Sequence, residues 1–162
     1  MAPTEEELSF TDHVARFFAK QYGLPPATGK ILGWLFICDP PGQTAAEIAA
    51  ALQLSRSAVG NAVTLLENFD QVRRARPPGE RADRIYAVPA SGEGSLDKAA
   101  EFGASRALAD LGLELLKDEP IERRARLLEM KAFSDFLLER MPAVAVEWRE
   151  RRRQLRASGE LP

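Results

Sequence analysis

Histidine and cysteine are almost missing from this chain: 162 residues hold one of each, His13 and Cys38. A lone cysteine closes no intramolecular disulfide, so a small stapled scaffold is excluded and a cytoplasmic setting is the expectation. One histidine rules out two-histidine metal sites, and no CxxC, HExxH or acidic calcium-loop spacing occurs. Neither a metal nor another cofactor is expected. His13 is read as a solvated or core-edge side chain, and Cys38 as a small buried hydrophobe closing an apolar helix. A redox role for Cys38 would need exposure and a lowered pKa, and its neighbour Asp39 pushes the other way. Long apolar runs are lacking too: "ILGWLFIC" at 31–38 falls well short of the roughly 18 residues of a membrane span. The start, "MAPTEEELSF", has no basic-then-apolar order, so no export signal is expected.

One phosphate-loop lookalike, "GLPPATGKI", fails on its parts. Five residues separate Gly23 from Gly29, and Ile31 stands where a hydroxyl must reach magnesium. Its prolines also remove N–H donors that such a loop needs. The expectation is a protein that is not an enzyme.

An excess of either charge is absent as well, the formal net charge being −2. The distribution is uneven. Residues 53–84 carry six arginines against four carboxylates, while the flanking stretches are net acidic. Since screening limits each charge to about 10 Å, a local basic patch matters more to a polyanion than the overall balance.

The apolar spacing predicts a first helix over Glu5–Lys20, stopped at Gly23, and a second, "ATGKILGWLFIC", apolar on most sides and so buried. "DPPGQ" reads as a turn. Thr44 followed three residues on by Glu47 is a capping box, opening a short alanine-rich helix to Leu52. Gln53-Leu54 turns the chain, and Ser55 caps another helix reaching Phe69. Two short helices across so tight a turn read as a helix-turn-helix. Ile48, Ala49, Leu52, Leu54, Val59, Ala62 and Val63 face inward; Arg56, Ser57, Gly60, Asn61 and Thr64 lie outward. Short polar side chains with one arginine make a helix face that fits deep in a groove.

"VRRAR" (72–76) and "IYAV" (85–88) read as strands around the loop "PPGERADR", which makes a wing directly after the helix-turn-helix. Glu80 and Asp83 have the spacing to pair locally with Arg81 and Arg84. Beyond Pro89 the pattern is helical: a helix over 92–117 with Leu96, Ala100, Ala104, Ala107 or Leu108, Leu111 and Leu115 in a stripe, one over 121–141, and a last helix separated from it by Pro142. The arginine runs at 122–126 and 150–156 read as solvated faces with paired glutamates. The fold expected is mainly α with a small β-wing. It has an N-terminal dimerisation helix (1–22), a winged helix-turn-helix (23–90) and a C-terminal helical dimerisation region (91–162).

The arginine loop behind a recognition helix points to double-stranded DNA, where arginines displace phosphate counterions and Arg or Asn side chains read base edges. The alternative is a winged-helix protein-interaction module binding an acidic partner.

The phrases "GLPPATGKILGWLFICDPPGQTAAEIAAALQLSRSAVGNAVTLLE" and "VRRARPPGERADRIYAV", within residues 23–88, resemble the MarR-type winged-helix regulators, and more narrowly their GbsR-like branch. The C-terminal half matches only in being helical. The resemblance implies a bacterial homodimer with interdigitated terminal helices, a pseudo-palindromic operator, repression or activation of transcription, and a small-molecule effector. It implies recognition-helix contacts by Ser55, Arg56, Ser57, Asn61 and Thr64, and a wing-tip contact by Arg81; Thr44, Arg76 and Arg84 complete the expected DNA-binding set. Gly60 departs from the pattern, at about 1 kcal/mol of helix propensity.

Overall fold

The computed structural model describes residues 3–88, 96 and 98–162. Among the described residues, six helices and three strands follow one another as α1 (Glu5–Tyr22), α2 (Pro26–Ile37), β1 (Gln43–Thr44), α3 (Ala45–Leu52), α4 (Arg56–Asn68), β2 (Val72–Ala75), β3 (Arg84–Ala87), α5 (Ala99–Leu115) and α6 (Ile121–Ala157). They form two compact units, Met1–Ala90 and Ser91–Pro162.

Helix α1 begins at a capping box. The Thr4 hydroxyl accepts the Glu7 N–H at 3.2 Å, and the Glu7 carboxylate accepts the Thr4 N–H at 2.7 Å. The helix runs two residues past the expected Lys20, to Tyr22, and stops where Gly23 adopts φ +66°. Pro25 and Pro26 then open α2, where a missing N–H costs no helical hydrogen bond. The two helices approach closely because α2 presents glycine: a Cβ on Gly29 would lie 2.6 Å from the Ala15 Cα, and one on Gly33 would lie 3.0 Å from the Thr11 Cα. Lys30 and Asp12 close the seam with an ion pair of 2.7 Å.

The other faces of α2 enter the core. Ile31, Leu32, Trp34 and Leu35 pack with Ile48 of α3, with Val59, Ala62, Val63 and Leu66 of α4, and with Val72 and Ile85 of the strands. Each fully buried aliphatic side chain contributes about 1.5–3 kcal/mol. Ala49, Leu52 and Leu54 are partly buried against this cluster, as the helix-turn-helix spacing requires. Leu66, one helical turn beyond Val63, completes it, at a position absent from the inward-facing set expected from spacing.

The sheet order is β1-β3-β2, antiparallel throughout. β2 pairs Val72 with Ala87 and Ala75 with Arg84. Arg76 therefore lies in the loop rather than on the strand, and Arg84 on the strand rather than in the loop. β1, not anticipated from sequence, pairs Gln43 with Ile85 and Thr44 with Arg84.

In the second unit α5 packs along α6. Gly112 admits the Leu127 side chain, Arg106 pairs with Asp135 at 2.9 Å, and Lys131 pairs with Asp110. α5 begins at Ala99, later than the expected 92; Leu96 sits in a turn before it, and positions 92–95 lie outside the described residues. Of the leucine stripe, Leu108, Leu111 and Leu115 are exposed, Leu115 to 82%. The expected break at Pro142 does not occur. α6 is one helix of 37 residues with Pro142 inside it. Proline removes a single N–H and costs about 3 kcal/mol, but propagation on both sides is cooperative and the loss stays local.

Gly29→Ala tests the close approach of α1 and α2. Alanine gains about 1 kcal/mol of helix propensity, but its methyl meets backbone that has no rotamer to escape into, an overlap costing about 1–3 kcal/mol. The expected net result is a lower urea midpoint, with the circular dichroism of the folded state unchanged.

Candidate nucleic-acid interface

The candidate surface is built from two caps. At the start of α3 the Thr44 hydroxyl accepts the Glu47 N–H at 3.2 Å, and the Glu47 carboxylate accepts the Thr44 N–H at 2.7 Å. Gln53 ends α3 in the left-handed region at φ +53°, and Leu54 donates its N–H to the Ala49 carbonyl at 3.0 Å. The Ser55 hydroxyl accepts the Ala58 N–H at 3.1 Å, which starts α4 at Arg56. Three non-helical residues thus separate two capped helices.

The inward face of α4 is consumed by the core, so its opposite face is fixed by default. Arg56, Ser57, Asn61 and Thr64 are exposed there. Their hydrogen bonds are short-range: Ser57 to the Ser55 hydroxyl at 3.0 Å, and the Thr64 hydroxyl to the Gly60 carbonyl at 3.0 Å. Gly60 lies on this face with nothing within 4 Å of where a Cβ would stand.

The wing arginines divide by partner. Arg74 reaches back to Glu67 of α4 at 2.9 Å, and Arg73 lies over the Tyr86 ring at 4.8 Å. Arg76 pairs across the loop with Asp83 at 2.8 Å. Arg84 is the most enclosed of these wing arginines, its side chain 21% exposed. Its Nε donates to both Glu80 oxygens at 2.9 and 2.7 Å, and its Nη1 donates to the Gly42 carbonyl at 3.1 Å and to Glu47 at 3.2 Å. Arg81 and Arg56 have no ion-pair partner among the described residues, and both are exposed.

Of the two expected local pairings, Arg84 with Glu80 is present, whereas Asp83 turns to Arg76 rather than to Arg81. Two further residues, outside the set expected from sequence, shape the site. Gly42 adopts φ +84° directly under the Tyr86 ring, where a Cβ would lie 2.2 Å from the ring edge. Tyr86 itself spans from that glycine to Arg73. The available sequence signal was the Pro-Gly pair of the 39–43 turn, which marks a turn but not what covers it.

Elsewhere, His13 is exposed, with Nδ1 2.8 Å from the Ser9 carbonyl oxygen. Cys38 is buried, and burial pushes its thiol pKa up, away from the reactive thiolate. Among the described residues no helix is long and apolar enough to cross a membrane, and no group of three or more His, Cys, Asp or Glu is arranged to hold a metal.

The Thr44 backbone N–H, more than any other group, holds the Glu47 carboxyl below its ordinary value of 4.5. Its stabilisation is therefore complete above that pH and is lost as the pH falls through the lower, folded-state value. The stability gap between wild type and Glu47→Gln, read from urea melts, is expected to be widest near neutrality and to narrow below pH 4.5. A gap independent of pH would remove the charge of Glu47 from the network.

Comparison with known proteins agrees with this geometry. Residues 92–151 match the profile of the MmpR5-like MarR family transcriptional regulators. That match falls on the C-terminal half, whose residue pattern shows only helicity. The chain is 30% identical over 132 residues to the HTH-type transcriptional regulator MmpR5 of Mycobacterium tuberculosis (strain ATCC 25618 / H37Rv), covering 81% of this chain and 79% of that one. A crystal structure of a transcriptional regulator superposes with a TM-score of 0.78 at 25% identity, covering 90% of this chain and 99% of the other. With a capped helix-turn-helix, a three-stranded wing and a relative matched over most of both chains, the chain belongs to the MmpR5-like MarR family of transcriptional regulators.

Proposed function

We propose that this regulator binds a pseudo-palindromic operator in double-stranded DNA as a homodimer, in the bacterial cytoplasm, with a small ligand modulating the complex. The observation that carries the reading is the pairing of an outward α4 face of short polar side chains with a wing whose Arg81 is exposed and unpaired among the described residues. In this reading α4 lies in the major groove. Ser55, Arg56, Ser57, Asn61 and Thr64 face bases and phosphates, and Thr44 approaches the backbone from the start of α3. Arg81 reaches phosphate or the minor groove. Arg76 and Arg84 contact DNA only by exchanging carboxylates for phosphates, so their first role is to hold the loop that carries Arg81. No catalytic step is assigned.

The dimer is supported by large apolar side chains left exposed in each unit considered alone: Phe10 and Phe17 on α1, and Leu108, Leu111, Leu115, Phe133 and Phe136 on α5 and α6. A two-fold axis would bury such surface and set half-sites about 34 Å apart on the duplex. The GbsR-like placement belongs to this proposal as well, supported by the proline-opened, tryptophan-bearing α2 that precedes the helix-turn-helix.

A gel shift on the DNA flanking the gene, at physiological salt, tests the reading. Absence of specific retardation would favour the acidic-protein partner instead. Arg81→Ala is expected to weaken binding to every duplex and to flatten the log–log salt dependence by about one unit per wing contact. Asn61→Ala is expected to relax sequence preference, by about 1–3 kcal/mol at the base pair it reads. Gly60→Ala separates folding from recognition. It should raise stability by up to about 1 kcal/mol, since the methyl meets nothing in the free protein, while lowering operator affinity where the backbone must approach DNA.

A further inference from the structure

The last turns of α6 carry the densest run of cations in the chain. Between Trp148 and Ser158 five arginines stand against one glutamate, and no lysine follows Lys131. Arg149, Arg153 and Arg156 are exposed and recur at spacings of four and three. On a helix this places them within an arc of about 60° and along about 10 Å of axis. The expected pairing with glutamates is realised only in part. Glu150 is shared by Arg153 and Gln154. Arg149, Arg151 and Arg156 have no ion-pair partner among the described residues. The Arg153 side chain is 77% exposed, where an ion pair is worth little and is readily exchanged. Interaction with the helix dipole accounts for Arg156 in the last turn, but that effect falls off within one turn and does not reach Arg149.

Three features select the partner. The cations are all guanidiniums, whose planar forks match phosphate oxygens two at a time. Trp148 and Leu155, the large apolar residues of the segment, are half-buried, so no free apolar face is offered to a lipid surface. A duplex presents about one phosphate charge per 1.7 Å of axis beneath a condensed counterion layer. A straight line of cations on a rigid helix displaces those counterions along its whole length, a gain that scattered carboxylates on a protein surface do not match. We propose that the C-terminal end of α6 is a second nucleic-acid surface, on which Arg149, Arg153 and Arg156 grip the phosphate backbone of double-stranded DNA without reading its sequence. This surface belongs to the unit of α5 and α6 alone and does not depend on the operator reading. Its contribution is to affinity for any duplex, which holds a regulator on DNA while it slides and hops.

Fluorescence anisotropy of the full chain on a labelled duplex of unrelated sequence, across a salt series, tests the surface. The triple variant Arg149→Gln, Arg153→Gln, Arg156→Gln is expected to bind more weakly. Its log–log salt dependence should be flatter by about three units, one per lost phosphate contact. The triple variant Arg149→Lys, Arg153→Lys, Arg156→Lys should recover most of the slope, since the charges return, but less of the affinity, since the forks do not. The flattening should be the same in an Arg81→Ala background, because separate sites add. Preference for an operator over the unrelated duplex should persist, because phosphate contacts carry no sequence information. Circular dichroism and light scattering accompany each variant. An unchanged slope in the Gln variant, or a loss that tracks a change of fold or oligomeric state, would overturn the surface as a DNA contact. So would polyglutamate that competes for the arginine-dependent binding as well as duplex of equal charge, or arginine-dependent binding of anionic phospholipid vesicles as tight as that of the duplex. Failure to bind any operator, with arginine-dependent binding of the unrelated duplex intact, would overturn the operator reading alone.

Discussion

The guanidinium of Arg84 joins the wing to a segment some forty positions earlier: it bonds Glu80 in the wing loop, the carbonyl of Gly42 in a turn, and the carboxylate that caps α3. None of these is a strong contact on the surface of a protein, where isolated ion pairs are worth little. Their value lies in sharing one rigid, partly enclosed fork, whose five donors lie in a plane and cannot follow one partner without leaving another. The loop between β2 and β3 has no helical or sheet hydrogen bonds of its own across most of its length. Its position relative to α3 and α4 is therefore set by Arg84 below and by the Arg76–Asp83 pair across its neck.

The local signals were readable from residue types alone. Thr44 and Glu47, Ser55, Gly23 and the proline pair each act within one helical turn, and each does what its chemistry requires. Thr4 and Glu7 repeat the Thr44–Glu47 spacing and were legible by the same rule. What could not be read is what depends on distant pairing. β1 consists of two residues that become a strand only because β3, some forty positions on, lies beside them. The ion pairs divide the same way. Arg84 with Glu80 is an i,i+4 pair, while Arg84 with Glu47 spans 37 positions and Arg74 with Glu67 depends on where β2 leaves α4. Pro142 shows the converse, a strong local signal overridden by the helix on either side of it.

The chain as a whole is slightly acidic, and folding sharpens the positive character of its middle block rather than spreading it. Four of the six arginines there are engaged by carboxylates or an aromatic ring, so their charge is largely answered within the fold. Two, Arg56 on α4 and Arg81 on the wing, are left to solvent among the described residues. A surface with few uncompensated cations at fixed positions attracts polyanions weakly at long range and discriminates by geometry at contact. The sequence could supply the count of arginines but not this division of labour.

Helix α4 keeps its packing and its exposed chemistry on different faces. Val59, Ala62, Val63 and Leu66 hold it to the core, and the bonds made by Ser57 and Thr64 on the outer face close within the helix or its cap. A change at Arg56, Ser57, Asn61 or Thr64 therefore alters the chemistry offered to a partner without disturbing the packing that keeps the helix in place. Such an arrangement is evolvable in a specific sense. Descendants of this chain could change the chemistry of the exposed face one substitution at a time, each intermediate remaining folded, because that face and the packed one lie on opposite sides of the same thirteen residues.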